Sequence, residues 1–312
     1  MPKSMHFRNL DLNLLVALDA LLLEKNITLA GKRVHLTQSA MSGALARLRE
    51  FFADELLMQI GRKMIPTPLG ESLAAPVKNV LLEIRSTIAA QPTFDPGTAH
   101  RTFRLMMSDY VSTVLMSVAL PAIERLAPHV GIEILSNDVE SPFDELDHAD
   151  IDLLIMPRRY LSEAHPCEAL FDDEFTGIAW LDNPLIPASG HLSLEAYMSL
   201  GHVTSRFASA RAGTVDEWFV DQLGHKRNVE VITMNFTSVF SAVLGTKRVA
   251  TIHRRLAAYF AQYLPIRVFD APFEVPRLEE AVQWHRQFDA DPGLLWLREV
   301  LNEAAHKMRV PC

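Results

Sequence analysis

The residues best suited to chemistry lie between Thr37 and Arg49, and that chemistry is recognition rather than catalysis. A helix opening at Thr37-Gln38, advanced by about 100° per residue, puts Ala40, Met41, Ala44, Leu45, Leu48, Phe51 and Phe52 on one side. Gln38, Ser39, Ser42, Gly43, Ala46, Arg47, Arg49 and Glu50 fall on the other. A solvated face would be packed with Lys and Glu, but this one is small and uncharged at its centre and basic at its flanks. Small residues let a helix backbone sink into the major groove of DNA, and flanking Arg can reach phosphates.

Such a helix needs a partner to angle it. A shorter helix is predicted from an N-cap at Thr28 to Val34, followed by the turn His35-Leu36-Thr37 with Thr37 as the next N-cap. Two helices joined by so short a turn read as a helix-turn-helix; the structural alternative is an ordinary helical hairpin. Residues 11–25 are apolar on nearly every side, which predicts a helix buried on more than one face. Residues 56–66 read as two short strands around a Gly61-Arg62-Lys63 turn, a wing whose basic tip would meet sugar-phosphate. Thr67-Pro68 is a helix start, and Leu73, Val77, Val80, Ile84 and Ile88 recur as a coiled-coil-like seam interrupted by Pro76. A second copy of the chain is the simplest partner for that seam. Residues 91–97 read as a linker.

From Arg101 onward strand-like runs alternate with helical ones, which implies a parallel sheet. Strands are expected at 103–107, 132–135, 153–156, 175–180, 202–204, 229–233, 249–252 and 266–269, with helices near 111–126, 143–148, 194–200, 215–223, 239–244, 256–263 and 291–306. Ligands of open α/β sheets sit beyond the carboxyl ends of the strands. There the chain carries Ser108, Asp109, Asn137, Ser205, Asn235, Phe236 and His253, a mixture of polar and aromatic groups suited to a small-molecule pocket. The structural alternative is that such residues only cap the helices that follow.

Charge is unevenly spread over the 312 residues. Residues 1–67 hold nine Lys/Arg against six Asp/Glu, or +3, while the remainder holds 21 against 32, or -11, within a net charge of -8. A basic head on an acidic body suits a nucleic-acid module attached to a domain with another task. Two cysteines, Cys167 and Cys312, provide neither a disulfide framework nor zinc-ligand spacing, so a reducing cytoplasm is expected. The longest uncharged apolar run, 110–123, has 14 residues, too few to span a bilayer. Phosphate-binding glycine loops, nucleophile elbows and metalloprotease motifs are missing from the sequence, so no enzyme, metal or cofactor is expected.

The segment 28–52, followed by LLMQIGRKMIPTPLGESLA, resembles the winged helix-turn-helix of LysR-type transcriptional regulators. Their pattern runs roughly Leu-Thr-x-Ala-Ala, Ser-Gln-Pro-Ala-x-Ser, Leu-Phe-x-Arg, Pro-Thr-x-x-Gly. The blocks LDLNLLVALDALL, HPCEALFDDE, YMSLGHV, DEWF, RVATIHRRLA and DPGLLWLR look like the nodulation-regulator, NodD-like branch, which responds to aromatic inducers. The resemblance implies an α-helical winged helix-turn-helix domain (1–67, helix-turn-helix about 27–46) and a dimerising linker helix (68–91). It also implies a two-lobed α/β effector domain like the periplasmic binding proteins (92–312; lobe I about 100–169 and 267–312, lobe II about 170–266). It further implies binding to double-stranded promoter DNA, a small-molecule inducer that is aromatic or flavonoid-like, homodimers or homotetramers, activation or repression, and RNA polymerase as a further candidate partner. Carried over by position, the DNA-contacting set is Thr28, Thr37, Gln38, Ser39, Ser42, Gly43, Arg47, Arg49, Arg62, Lys63 and Thr67, with Gln38 and Ser42 as base readers. Ser39 stands in place of the usual Pro, Gly31 in place of an Ala, and Gly43 and Ala46 at often-basic positions. The competing function is a small-molecule-binding or catalytic α/β protein whose N-terminal helices only dimerise.

Overall fold

The computed structural model describes residues 11–61, 63–89, 93–137, 141–187, 189–206, 224, 227–273 and 275–308, which cluster into two units, Met1–Ala90 and Gln91–Cys312. In the first unit, helix α1 (Leu12–Glu24) is capped by Asp11, whose carboxylate accepts from Asn13 N at 3.0 Å. It buries Leu14, Leu15, Ala17, Leu18, Ala20, Leu21 and Leu22. Helix α2 (Ile27–Arg33) starts two residues earlier than the spacing predicts. Its cap is Asn26, not Thr28: Asn26 Oδ1 accepts from Thr28 N at 2.9 Å and Leu29 N at 3.1 Å, and an Asn side chain outcompetes a Thr for that position.

The turn after α2 is tight. Leu36 N donates to Gly31 O at 2.8 Å, and a Cβ on Gly31 would lie 2.8 Å from Leu36 O. The departure at Gly31 is therefore a requirement of the turn, which outweighs the helix propensity it loses. Thr37 then caps α3 (Gln38–Phe52), its hydroxyl accepting from Ala40 N at 3.2 Å, and α3 buries Met41, Leu45 and Leu48. Strands β1 (Leu57–Ile60) and β2 (Lys63–Pro66) pair antiparallel from Leu57↔Pro66 to Ile60↔Lys63, so Lys63 belongs to β2 and not to the turn, where Gly61 takes φ +64°.

Helix α4 (Pro68–Ala89) opens at Thr67, which is buried; its hydroxyl accepts from Gly70 N at 3.0 Å and donates to Asp54 Oδ1 at 2.6 Å. That bond and the Leu56 amide hold the Asp54 carboxyl below its ordinary pKa range. The seam read from the sequence is partly spent inside the protomer: Leu69, Leu73, Ala74, Val77 and Leu81 pack on the α1–α3 core, and Val80 is exposed.

The second unit holds two mixed sheets of five strands each. In the first, β3 (Thr102–Met107) pairs parallel with β4 (Gly131–Ser136) and β5 (Leu153–Pro157), while β12 (Leu278–Gln283) runs antiparallel between β5 and β6 (Cys167–Asp173). In the second, the order is β11 (Ile266–Phe269), β7 (Phe175–Trp180), β10 (Val249–His253), β8 (Gly201–Ser205), β9 (Asn228–Thr233); β7 is antiparallel to both neighbours and the rest are parallel. The parallel sheet expected from alternation is corrected in both cases, because the chain crosses between sheets at Glu174 and returns between Phe269 and Leu278. Residues 170–173 and 267–269, expected in the opposite lobes, pair in the first and second sheets respectively.

Helices cover the sheets: α5 (Asp109–Val111), a π-helical turn (Ser112–Met116), α6 (Ser117–Leu126), α7 (Pro142–Asp147), α8 (Leu194–Ser199), α9 (Ser238–Val243), α10 (Arg254–Phe260) and α11 (Pro292–Lys307). The helix expected at 215–223 lies outside the described residues. One core runs through both sheets, from Phe103 and Leu105 through Ile178 and Ile252 to Leu297 and Leu301.

Two substitutions test the head. Thr67→Ala removes a cap worth about 1 kcal/mol, which lowers the melting temperature of a head this size by about 4–8 °C. Gly31→Ala destabilises it as well, because the new Cβ must displace a backbone carbonyl; a thermal melt in which Gly31→Ala matched or exceeded wild type would refute that packing.

Candidate nucleic-acid interface and effector cleft

Burial of Met41, Leu45 and Leu48 leaves Gln38, Ser39, Ser42, Gly43, Ala46, Arg47 and Glu50 exposed. Ala40, placed on the core face by its angle, is exposed as well. A Cβ on Gly43 would meet nothing within 4 Å, so intramolecular packing does not demand a glycine there. The centre of the face is thus slim and open. Thr37 and Ser39 hydroxyls lie 3.0 Å apart at its leading edge.

The flanks differ from one another. Arg47 is well exposed and lies 3.5 Å from Asp11, a loose surface pair. Arg49, expected beside it, turns the other way: its guanidinium donates to Glu55 O at 2.9 Å and Leu57 O at 2.7 Å and pairs with the Glu55 carboxylate at 3.0 Å. Those carbonyls belong to the connection into β1, so Arg49 braces the wing. Thr67, also expected at the interface, is enclosed and its hydroxyl is fully used as described above. Thr28 is exposed in the first turn of α2, Lys63 is exposed at the start of β2, and Arg62 lies outside the described residues.

In the second unit, the carboxyl ends of β3, β9 and β10 bring several expected groups together. Asp109 Oδ1 and Oδ2 accept from Phe236 N at 3.2 Å and Thr237 N at 2.7 Å, joining α5 of one lobe to the turn before α9 of the other. The Phe236 ring stands edge-on to His253 at 4.6 Å, and His253 stacks on Tyr110 at 3.8 Å with 8° between planes. Phe175 lies 4.9 Å from His253, completing an aromatic box. Capping, the structural alternative, holds for two members. Ser108 Oγ accepts from Val111 N at 3.2 Å, and Asn235 Oδ1 accepts from Ser238 N at 2.9 Å. Ser205 is buried at the end of β8, and Asn137 is half-buried just past β4.

The polar centre that spacing alone did not reveal is Tyr110, Asp173 and Glu280. Tyr110 OH donates to Asp173 Oδ2 at 2.6 Å, and Arg255 N reaches both oxygens of the same carboxylate at 3.3 Å. Glu280 on β12 is 2% exposed and its Oε2 finds no hydrogen-bond partner among the described residues. Burial first, then the neighbouring Asp173 charge, pushes the Glu280 carboxyl up to about 8. Burial also raises Asp173, against its hydrogen bonds, and burial with the adjacent acids raises Tyr110 well above its ordinary range. Beside this centre, at the crossing between the sheets, a cavity of about 240 Å³ is lined by Asp172, Asp173, Glu174, Arg254, Arg255 and Arg277. Several of its charges are paired: Arg277 with Glu174 at 2.7 Å, and Arg254 with Asp270, outside the lining, at 2.8 Å. With Tyr110 and Glu280 these residues come from the stretches 110, 172–174, 254–255 and 277–280, so no local motif announces them.

Comparison with known proteins matches residues 12–71 to the bacterial regulatory helix-turn-helix of the lysR family and residues 96–306 to the LysR substrate binding domain. The chain is 40% identical over 308 residues to nodulation protein D 2 of Rhizobium tropici, covering 98% of this chain and 96% of that one. It is 39% identical over 304 residues to nodulation protein D 1 of Rhizobium meliloti, covering 97% and 98%. Among solved structures, a probable transcriptional regulator of Pseudomonas aeruginosa, PA0477, is similar with a TM-score of 0.65 at 26% identity, covering 97% of this chain and 99% of that one. Full-length CbnR complexed with its target DNA shares the fold, with a TM-score of 0.52 at 12% identity over 95% and 100% of the two chains.

The buried carboxyl makes a pH prediction. The folded pKa of Glu280 lies above its ordinary 4.5, so the stability it contributes is complete below about 4.5 and is lost as pH rises through about 8. Glu280→Gln removes that loss, and is expected to exceed wild type by roughly 2–4 kcal/mol at pH 8 with the gap closing towards pH 4.5. Denaturation across that range checks it; a gap independent of pH would contradict the burial.

Proposed function

The chain belongs to the LysR family of bacterial transcriptional regulators, and on that premise we propose that α3 reads a promoter duplex while the cleft between the two lobes senses an aromatic inducer. Gln38 and Ser42 meet base edges, Thr37 and Ser39 stand at the entry to the groove, and Gly43 lets the backbone approach. Arg47, Arg62, Lys63 and Thr28 face the phosphates. The single observation that carries this reading is the open, slim face of α3, with free space over Gly43. Arg49 and Thr67 support the interface from behind by bracing the wing and capping α4.

The aromatic box of Tyr110, Phe175, Phe236 and His253 supports a planar aromatic or flavonoid-like inducer, since stacked and edge-on rings favour flat apolar ligands. The 39–40% identity to nodulation regulators supports the same class. Homodimers assembling into tetramers, a cytoplasmic location and contact with RNA polymerase complete the proposal. Among the described residues no helix is long and apolar enough to cross a membrane.

Gel shifts on the chain's own promoter region test the head. Gln38→Ala is expected to weaken binding by about 5- to 150-fold at the preferred sequence, and Arg62→Ala to weaken it across sequences while reducing the salt slope by about 1. Gly43→Glu, which has room in the free protein, abolishes binding without lowering stability. Unchanged affinity in all three would refute the assignment of this face. A panel of aromatic acids and flavonoids in a thermal shift assay checks the cleft: a binder raises the melting temperature of the second unit, by about 2.7 kcal/mol of stabilisation at a hundredfold excess over its Kd.

A further inference from the structure

We propose that Asp109 is a clasp that holds the two lobes of the second unit closed over the aromatic box, so that access to the cleft requires both of its hydrogen bonds to break together. The inference deepens the effector-cleft reading above and rests on it for its regulatory meaning.

Three observations carry it. The carboxylate accepts from two consecutive backbone amides, Phe236 N at 3.2 Å and Thr237 N at 2.7 Å, which lie 127 and 128 residues away in the other lobe. Bonds from N–H to a carboxylate are stronger than neutral ones, and a bidentate pair fixes orientation as well as distance. The clasped turn also carries the Phe236 ring, which stands edge-on to His253 at 4.6 Å and to Tyr110 at 6.3 Å. Tyr110 is the next residue after Asp109, so the clasp and the wall of the box are one piece of backbone. Finally, Asp109 opens the three-residue α5, which passes directly into the π-helical turn Ser112–Met116. Such turns are irregular points in a helix and are frequent at functional sites.

The device is a two-state one. With the clasp made, the turn before α9 is pinned to α5 and the box is covered. With it broken, the lobes are still joined by their two crossings, at Glu174 and between Phe269 and Leu278, by the Arg255 N bonds to Asp173 beside the first of these and by the shared core, and those contacts are the pivot about which the mouth opens. A ligand that needs the open state binds more weakly in proportion to the fraction of chains that are open. Loosening the clasp therefore raises apparent inducer affinity as the open fraction rises.

The test uses the full chain with Cys167→Ser and Cys312→Ser and spin labels at Glu195→Cys on α8 and Glu299→Cys on α11, both exposed and one in each lobe. Asp109→Ala is expected to move the label distance distribution to longer values by more than about 2 Å or to broaden it by as much. Asp109→Asn keeps one acceptor oxygen and falls between the two. Distributions identical in wild type and both variants would overturn the clasp, since a role confined to capping the turn before α9 leaves the label distance unmoved. Should Asp109→Ala not fold, the Asp109→Asn shift decides alone. A gel shift on the same parent separates this result from the regulator reading: failure of the parent to bind its promoter would count against the DNA assignment and leave the distance measurement standing.

Discussion

An amphipathic helix buries only one of its sides, and in this protein that rule governs α3. Met41, Leu45 and Leu48 are drawn into the α1–α4 core, each at about 25 cal/mol per Å² of apolar surface removed from water. Their burial leaves the opposite side of α3 no choice but to face solvent. The supporting parts then read as ways of keeping that side at a fixed angle. Gly31 allows the turn to close on Leu36, Arg49 ties the end of α3 to the wing, and Thr67 locks Asp54 to the start of α4. None of these need touch a duplex to matter to it.

The second unit solves a different problem, enclosing polar groups between two sheets that share a core. Much of its core is continuous through both sheets. Polar contacts between the lobes include Asp109, Asp173 and Arg255, whose guanidinium donates to Asp172 O and Met308 O. Asp173, at the crossing, gathers Tyr110 OH from one side and Arg255 N from the other; Asp109, at the mouth, takes two amides. Buried carboxylates are costly unless well bonded, and Glu280 beside them remains short of a partner and takes up a proton instead. A junction built from a few strong polar contacts can switch, whereas one built from apolar packing alone would have to slide.

Several features were legible before any coordinates. The outward set of α3 is decided by a 100° step, and the wing strands by a glycine turn between apolar runs. Both depend on neighbours within a few residues. The N-cap of α2 was misplaced by two residues because Asn26 and Thr28 are both acceptable caps and only the backbone distinguishes them. β6 and β12 were not recognised at all. CEALFDD and LEEAVQ are rich in acids and alanine, which disfavour strands in isolation, and their pairing with each other spans more than a hundred residues.

Amphipathic period, turn chemistry and charge division are properties of contiguous residues, and they determined that this chain has a basic helix-turn-helix head whose second helix exposes a face of small residues, and an α/β body. Which polar side chains are free and which are spent was decided by tertiary contact alone. Arg49 and Arg47 look alike in sequence, yet one is committed to carbonyls of the wing and the other is open. Asp109 looks like a helix cap and is a bond between lobes. The physical reason is that hydrogen-bond partners 127 residues apart leave no trace in local spacing, and only the folded chain brings their donors and acceptors within 3 Å or so of one another.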